Sequence, residues 1–502
     1  MKIKYGLALL LFIAVSSSAE ASRHNDRCLS EKRDFSDVLP CYTRSISESP
    51  PKYTRISDEQ VAGVDILHYR MNSQSWSPAG LVQPEEWQHD VDIYIPPRAK
   101  RGKAVIFVNN GTNNNIDNKP PVAPSDMTPP QLTALAQATR TIILSLSDVP
   151  NQYQTWRDDN KTRAEDNSVA HSWSLFMQNP TERSLLPLHI PMAASVSQAM
   201  SLAERELREW RIKEFIVTGL SKRGWSSWLA AIADPRVEAI APFVMDMLGT
   251  RQALKHMYRV YGHNWPVAFS PYYQEGIDTS IDMPNFSKLL KIQDPLEYQS
   301  SAYKKRLAVK KYIINASGDD FYVPDNSRYY YDQLPGMKSL RVVPNSDHAG
   351  IRRFAESSLI PFINRIQSGK PLPKIHTSLK KGLLDIKLSE YPKQLTLWRA
   401  YNANDRDFRL ACGVNYESST LPVKSRITLT LVKPHKGWQA AYVEAIFRDG
   451  YVATTEVYIT PDESYPDAAP LNKGGACQTL PGRGLGNAHQ QADVNKTETR
   501  SF

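Results

Sequence analysis

Three residue types, met in one chain order, carry the clearest chemistry in this sequence: a serine, Ser221, an aspartate pair, Asp319 and Asp320, and a histidine, His348. Ser221 lies in FIVTGLSKRGWSSWLAA, residues 215–231, between a β-branched run and a small-residue helical stretch. A serine on a tight strand-to-helix turn has its Oγ lifted clear of the sheet, where backbone N–H groups can meet the oxyanion of an acyl transfer. The spacing is Gly219-x-Ser221-x-x-Gly224, with Arg223 where a G-x-S-x-G turn would place its second glycine. Taken locally, the pattern also fits a serine that only caps the next helix.

Chain order favours the catalytic alternative, because hydrolases with this turn run serine, then aspartate or glutamate, then histidine. Asp319 and Asp320 follow the run YIINASG, and His348 follows RVVPNSD. In such an arrangement His348 accepts the Ser221 proton, the aspartate orients the imidazole, and water hydrolyses the resulting acyl-enzyme. The D-x-x-V-P pattern points to Asp320 as the acid and the Gly-Asp pairing to Asp319. Asp246, after VEAIAPFVM, is a third candidate. The oxyanion hole is expected from the N–H of Lys222 and from Asn110 or Thr112 in the NNGT loop after AVIFV. Arg223, Trp225 and Trp156 are candidates for substrate contact, although an arginine here could equally anchor the turn on a carboxylate. Glu165, Asp166, His171 and Trp173, and the insertion's Tyr261, Trp265, Tyr272 and Tyr273, could line a pocket, with core packing the commoner use.

These residues need a sheet whose strand ends bring them together. Short apolar runs (AVIFV, TIILSL, FIVTGL, VEAIAPF, KKYIINA, SLRVV) alternate with helical stretches, the clearest being HIPMAASVSQAMSLAERELREW with Met192, Val196 and Met200 near a 3.6 period. That alternation predicts an α/β-hydrolase-like fold, a mostly parallel sheet covered by helices, over residues 56–370. From about Pro371, past the connector SGKPLPKIHTS, β-formers and turns replace helical patterning. A β-sandwich-like domain is expected over 371–480, then a disordered tail over 481–502.

The first 21 residues combine two lysines, an apolar run and Ala19-Glu20-Ala21, which reads as a signal peptide, followed by a polar leader over 22–55. The protein is expected to be exported, to the periplasm or beyond, with no stable membrane insertion. Four cysteines in two near pairs, Cys28 with Cys41 and Cys412 with Cys477, suggest two local disulfides, the other pairings staying open. No CxxC or HxxxH spacing points to a metal, and no cofactor is implied. The net charge of +9 favours anionic partners only in a general way, and nothing indicates nucleic acid.

Several longer stretches, GLSKRGWSSW, EEWQHDVDIYIP, AEDNSVAHSW, LHIPMAASVSQAM, INASGDDFYVPD and LWRAYNANDRDFRL, resemble in matching order the PhoPQ-activated pathogenicity-related protein family, of the PqaA type. The likeness spans roughly residues 34–462. It implies a hydrolase-like domain with a β-rich C-terminal domain and virulence association, and it makes Ser221-Lys222-Arg223-Gly224-Trp225 a family feature. It also favours Asp319 over Asp320, since the family commonly has glutamate at the second position. The reading is an exported serine hydrolase acting on an ester, thioester or amide of a small-molecule, lipid-like or peptide substrate. The rival is a non-catalytic exported binding or signalling protein on the same fold.

Overall fold

The computed structural model describes residues 34–113 and 120–486. The expected signal peptide, Cys28 and the chain from residue 487 lie outside the described residues. Two compact units divide the chain, Met1–Ile240 with Lys291–Gln293, and Ala241–Leu290 with Asp294–Phe502.

The segment read as a polar leader contributes a helix and a strand to the first unit. Helix α1 (Phe35–Ser47) opens at Asp34, whose side chain accepts the Ser36 N–H at 3.1 Å. Ser45 can be buried because it returns its hydroxyl to the carbonyl of Tyr42 at 2.8 Å, and the exposed Ser47 bonds in the same way to Thr43 at 2.8 Å. Strands of the large sheet follow: β1 (Lys52–Val61), β2 (Val64–Ser75), β3 (Glu86–Ile95), β4 (Lys103–Val108), β5 (Ile142–Leu146), β6 (Glu214–Leu220) and β7 (Val237–Phe243), the last crossing into the second unit. Their order is β1-β2-β3-β5-β4-β6-β7. The pairs β1/β2, β2/β3 and β3/β5 are antiparallel, whereas β4 pairs in parallel with both β5 and β6.

The strands β4, β5 and β6 read as continuous apolar runs because both faces are covered; every residue of β5 and all but the first of β4 and β6 are buried. Helices α2 (Pro129–Thr139), α3 (Glu165–Gln178), α4 (His189–Glu206) and α5 (Lys222–Ala233) supply the cover. In α4 every residue from His189 to Met200 is buried, so its small and polar positions face neighbours on all sides. Trp76 packs edge-to-face on Trp87 and Trp156, with centroids 5.7 and 6.4 Å apart.

In the second unit β8 (Lys310–Ala316) and β9 (Lys338–Val343) pair in parallel, and α6 (Thr250–Val260) and α7 (Ala355–Ser368) are its longest helices. Two separate antiparallel sheets follow. One joins β10 (Ile375–Lys380), β11 (Leu383–Leu388) and β14 (Arg426–Thr430). The other joins β12 (Gln394–Asn402), β13 (Glu417–Leu421), β15 (Trp438–Ile446), β16 (Val452–Thr454) and β17 (Tyr458–Thr460). The change of texture near residue 371 is therefore not where the compact units part. Tyr312 on β8 donates to the Val452 carbonyl at 2.5 Å and Val342 on β9 donates its N–H to Thr454 at 3.0 Å, which ties the C-terminal strands to this sheet. Among the described residues no helix is long and apolar enough to cross a membrane.

Candidate active site

Ser221 is the single residue between the end of β6 and the start of α5, and the chain reverses there in one step. Its backbone sits at φ 55° and ψ −124°, a combination that an L-residue holds only at a cost of about 1–3 kcal/mol. Gly219 lets helix and strand approach this closely, because a Cβ there would lie 2.9 Å from the backbone carbonyl group of Arg223. Ser221 occupies the N-cap position of α5 yet makes no side-chain capping bond. The capping explanation for this serine is therefore excluded, and the residue is only partly buried.

Arg223 turns away from that hydroxyl. It is buried, with Nε donating to the Val149 carbonyl at 2.5 Å, one terminal nitrogen 3.3 Å from Asp126 and the other 2.5 Å from Glu165. Lys222, also buried, pairs with Glu165 at 2.7 Å and Asp166 at 3.0 Å. Burial alone would raise the Glu165 carboxyl, but Arg223 and Lys222 outweigh it and hold the group well below the usual carboxylate range. The two cations thus fasten the turn from inside. Asp126 and the acidic pair at the start of α3 were missed as its counterions; they lie about 60 to 100 residues away, and only the folded chain brings them together.

The expected substrate contacts need correction. Arg223, Trp225 and Trp156 are all buried and already engaged: Trp225 donates its indole N–H to the Gln293 carbonyl and packs edge-to-face on Trp173, and Trp156 sits among Trp76 and His171. Of the aromatics in the insertion, Tyr261, Trp265 and Tyr272 are likewise core, with Trp265 stacked on Phe269 at 4.8 Å. The two oxyanion candidates in the loop after β4 have spent their N–H groups locally. Asn110 donates to the Asn109 side chain at 3.1 Å and Thr112 to the Val122 carbonyl at 3.0 Å, which leaves the Lys222 N–H as the expected donor.

In the second unit, Asp319 follows the end of β8 and His348 follows the end of β9. His348 Nδ1 lies 3.0 Å from both carboxylate oxygens of Asp319, and the imidazole is flanked by Phe321 and Tyr322 with centroids 5.7 and 5.8 Å away. Asp319 is held in turn by the N–H groups of Phe321 at 2.7 Å and Tyr322 at 3.2 Å. The geometry separates the three acid candidates. Asp320 accepts the backbone N–H of His348, at 3.2 Å, and burial together with the neighbouring Asp319 pushes its carboxyl up. Asp246 is buried, bonded to the Tyr330 hydroxyl, and raised well above its ordinary value chiefly by burial. Asp319 is the carboxylate on the imidazole.

A serine–histidine contact also lies within the first unit, and it cannot do this chemistry. Ser195 Oγ lies 3.1 Å from His89 Nε2, but Ser195 is mid-helix in α4, donates to Pro191 at 3.0 Å and is fully buried. His89 faces the backbone carbonyl of Ser147, not a carboxylate, and burial pushes its pKa down to about 4. That pair is core polar packing.

Two acidic groupings have metal-like spacing among the described residues, and neither has a free ligand set. In Asp407, Cys412 and Cys477 the two sulfurs are joined as a disulfide, one of the two pairings expected. In Asp158, Asp159 and His171, both oxygens of Asp159 are taken by Arg163, at 2.9 and 2.6 Å. Cys41 is disulfide-bonded; its expected partner, Cys28, lies outside the described residues.

Comparison with known proteins adds a family to this geometry. The family model described as PhoPQ-activated pathogenicity-related protein matches residues 39–409. The autocrine proliferation repressor protein A of Dictyostelium discoideum is 27% identical over 429 residues, which cover 78% of this chain and 84% of that protein. Two solved structures are also similar. Acetyl xylan esterase 1 from a Thermoanaerobacterium species matches at a TM-score of 0.41 and 14% identity, covering 66% of this chain and 94% of its own. An acetyl xylan esterase from a Paenibacillus species matches at 0.43 and 14%, covering 67% and 95%.

Proposed function

Because the chain belongs to the PhoPQ-activated pathogenicity-related protein family, we propose that it is a serine hydrolase, of the PqaA type, that cleaves an ester, thioester or amide through an acyl-enzyme on Ser221. One observation carries the reading. Ser221 is held at φ 55° at the strand-to-helix junction with its hydroxyl withheld from the capping bond that its position invites. A side chain kept in a costly backbone conformation and out of the local hydrogen bonding needs a reason outside the turn, and nucleophilic attack is such a reason.

In the proposed mechanism His348 Nε2 takes the Ser221 proton as Oγ attacks the carbonyl carbon, and Asp319 on Nδ1 fixes the tautomer and stabilises the imidazolium. The Lys222 N–H, first of the α5 amides, donates to the oxyanion. The buried Lys222 ammonium, paired with Glu165 and Asp166, maintains the turn. His348 then returns the proton to the leaving group, and water repeats the cycle to free the acid product. Export through residues 1–21, in keeping with a disulfide between Cys412 and Cys477, and a virulence-associated role belong to the same proposal.

A second reading, an exported signalling protein without catalysis, draws on the printed name of the Dictyostelium relative, a proliferation repressor. Labelling of the purified mature chain with a fluorophosphonate separates the two. The hydrolase reading expects covalent labelling of the wild type that disappears in Ser221→Ala and in His348→Ala. A folded wild type that takes no label leaves the signalling reading standing.

A further inference from the structure

The loops that carry Asp319 and His348 are both gripped by one short segment from far along the chain. Gly318, next to Asp319, donates its N–H to the Ser346 carbonyl at 2.9 Å and accepts the Leu410 N–H on its own carbonyl at 3.0 Å. It has no space for a side chain: a Cβ there would fall 2.7 Å from the Leu410 Cβ and 2.8 Å from its nitrogen. On the histidine side, Asn345 exchanges two hydrogen bonds with the backbone of Tyr416, donating to its carbonyl at 3.0 Å and accepting its N–H at 2.7 Å. Leu410 thus touches the acid loop and Tyr416 the histidine loop, with Cys412 between them.

That segment is also fastened by contacts from farther along the chain. Cys412 is disulfide-bonded to Cys477, and Arg409, buried, donates to the carbonyls of Ala476 at 2.9 Å and Gln478 at 3.0 Å. Lys473 donates to the Cys412 carbonyl at 2.8 Å. Between Arg409 and Tyr416 the only regular structure is a single helical turn, Leu410–Cys412, so ordinary strand or helix bonds do not fix its position.

We propose that the segment from Arg409 to Tyr416, fastened by the Cys412–Cys477 disulfide, is a positioning element that holds Asp319 and His348 in register. This rests on the reading of Asp319 and His348 as part of a catalytic triad. Leu410 and Tyr416 are positioning residues, since they act on the two loops and not on a substrate. Orientation of the imidazole is where small displacements are expensive, so losing the fastening slows the reaction without unfolding the chain.

The test compares the wild type with Cys412→Ala/Cys477→Ala, Leu410→Pro and Leu410→Ala. Proline deletes the N–H given to Gly318 and drives its ring Cδ against that carbonyl, forcing the segment off the acid loop, while its own backbone needs are met because Leu410 opens a helical turn and Arg409 before it is extended, at φ −61° and ψ 133°. Two readouts are taken beside a thermal melt: the rate of fluorophosphonate labelling, and the far-downfield proton signal of His348 Nδ1–H, assigned by its loss in His348→Gln. The double cysteine variant and Leu410→Pro should label about 10- to 100-fold more slowly and lose or broaden the downfield signal while still melting cooperatively. Leu410→Ala, which keeps the N–H, should stay nearer the wild type than Leu410→Pro. Wild-type labelling rates and an intact signal in the folded variants overturn the proposal. If the double cysteine variant does not fold, Leu410→Pro decides. If the wild type itself takes no label, the hydrolase reading has failed, and the downfield signal alone judges the clamp: its persistence in the variants overturns it.

Discussion

Replacing Arg223 with methionine strips a buried guanidinium from the turn that carries Ser221, and the cost can be worked from its three partners. The Arg223 and Asp126 side chains are 5% and 6% exposed. In that setting breaking a pair costs about 3–5 kcal/mol, because a buried carboxylate loses the opposite charge that balanced its desolvation. Glu165 is 39% exposed and retains Lys222 at 2.7 Å, so its share is limited by screening to about 0–1 kcal/mol. Losing the donor to the Val149 carbonyl adds about 1 kcal/mol. Methionine occupies much of the aliphatic volume, so little cavity is added, and the total expected is about 4–7 kcal/mol, or a melting temperature roughly 10–15 °C lower.

The assay is urea unfolding followed by tryptophan fluorescence. Trp76, Trp87, Trp156, Trp173, Trp225 and Trp228 all belong to the first unit and report chiefly on it. Asp126→Asn in the same background completes a double-mutant cycle. Because removing both charges leaves no stranded ion, the double variant should be more stable than the sum of the singles predicts, by about 1–3 kcal/mol. An Arg223→Met protein within about 1 kcal/mol of the wild type, or an additive cycle, refutes the claim that the arginine is held by buried charge pairing.

The choice of acid is tested by asparagine substitution. Asp319→Asn should lower the labelling rate by roughly 10⁴-fold through the wrong imidazole tautomer. Asp320→Asn keeps a carbonyl oxygen for the His348 N–H and should lose less than about tenfold; equal losses would remove the distinction. Acid stability reports on His89, whose pKa burial lowers from 6.5 to about 4. Between those values the unfolded chain binds a proton that the native chain refuses. The contribution of neutral His89 is therefore whole above about pH 6.5 and falls by about 3 kcal/mol as the pH drops to 4. His89→Gln should flatten stability against pH over that range, leaving the similar slope from His189, which burial pushes down to about 3; an unchanged profile counts against a buried neutral imidazole.

The alternation of apolar runs and helical stretches was enough to place the strands and the α/β class, because a run such as AVIFV has to be covered on both faces wherever it lies. Chain order put Ser221 and His348 after apolar runs, and it left Asp319, Asp320 and Asp246 as candidates for the acid. Those are local properties, set by a few adjacent residues. What the sequence could not supply depended on contacts between distant segments. Asp319, which the family resemblance favoured, is held on the imidazole by the N–H groups of Phe321 and Tyr322, contacts that only the folded loop supplies. The glycine missing from the turn became an arginine turned inward onto Asp126 and Glu165, 97 and 58 residues away. Trp156 and Trp225, which looked like substrate contacts, lie in the core, because the same large aromatic faces serve either purpose and only burial tells them apart. Composition announced β-rich structure after residue 371, and separate antiparallel sheets stand there; only the fold shows the bonds from Tyr312 and Val342 to Val452 and Thr454 that join those strands to β8 and β9. Periodicity and turn chemistry are written into neighbouring residues; partner choice is decided only when the folded chain brings charge, N–H and carbonyl within reach of one another.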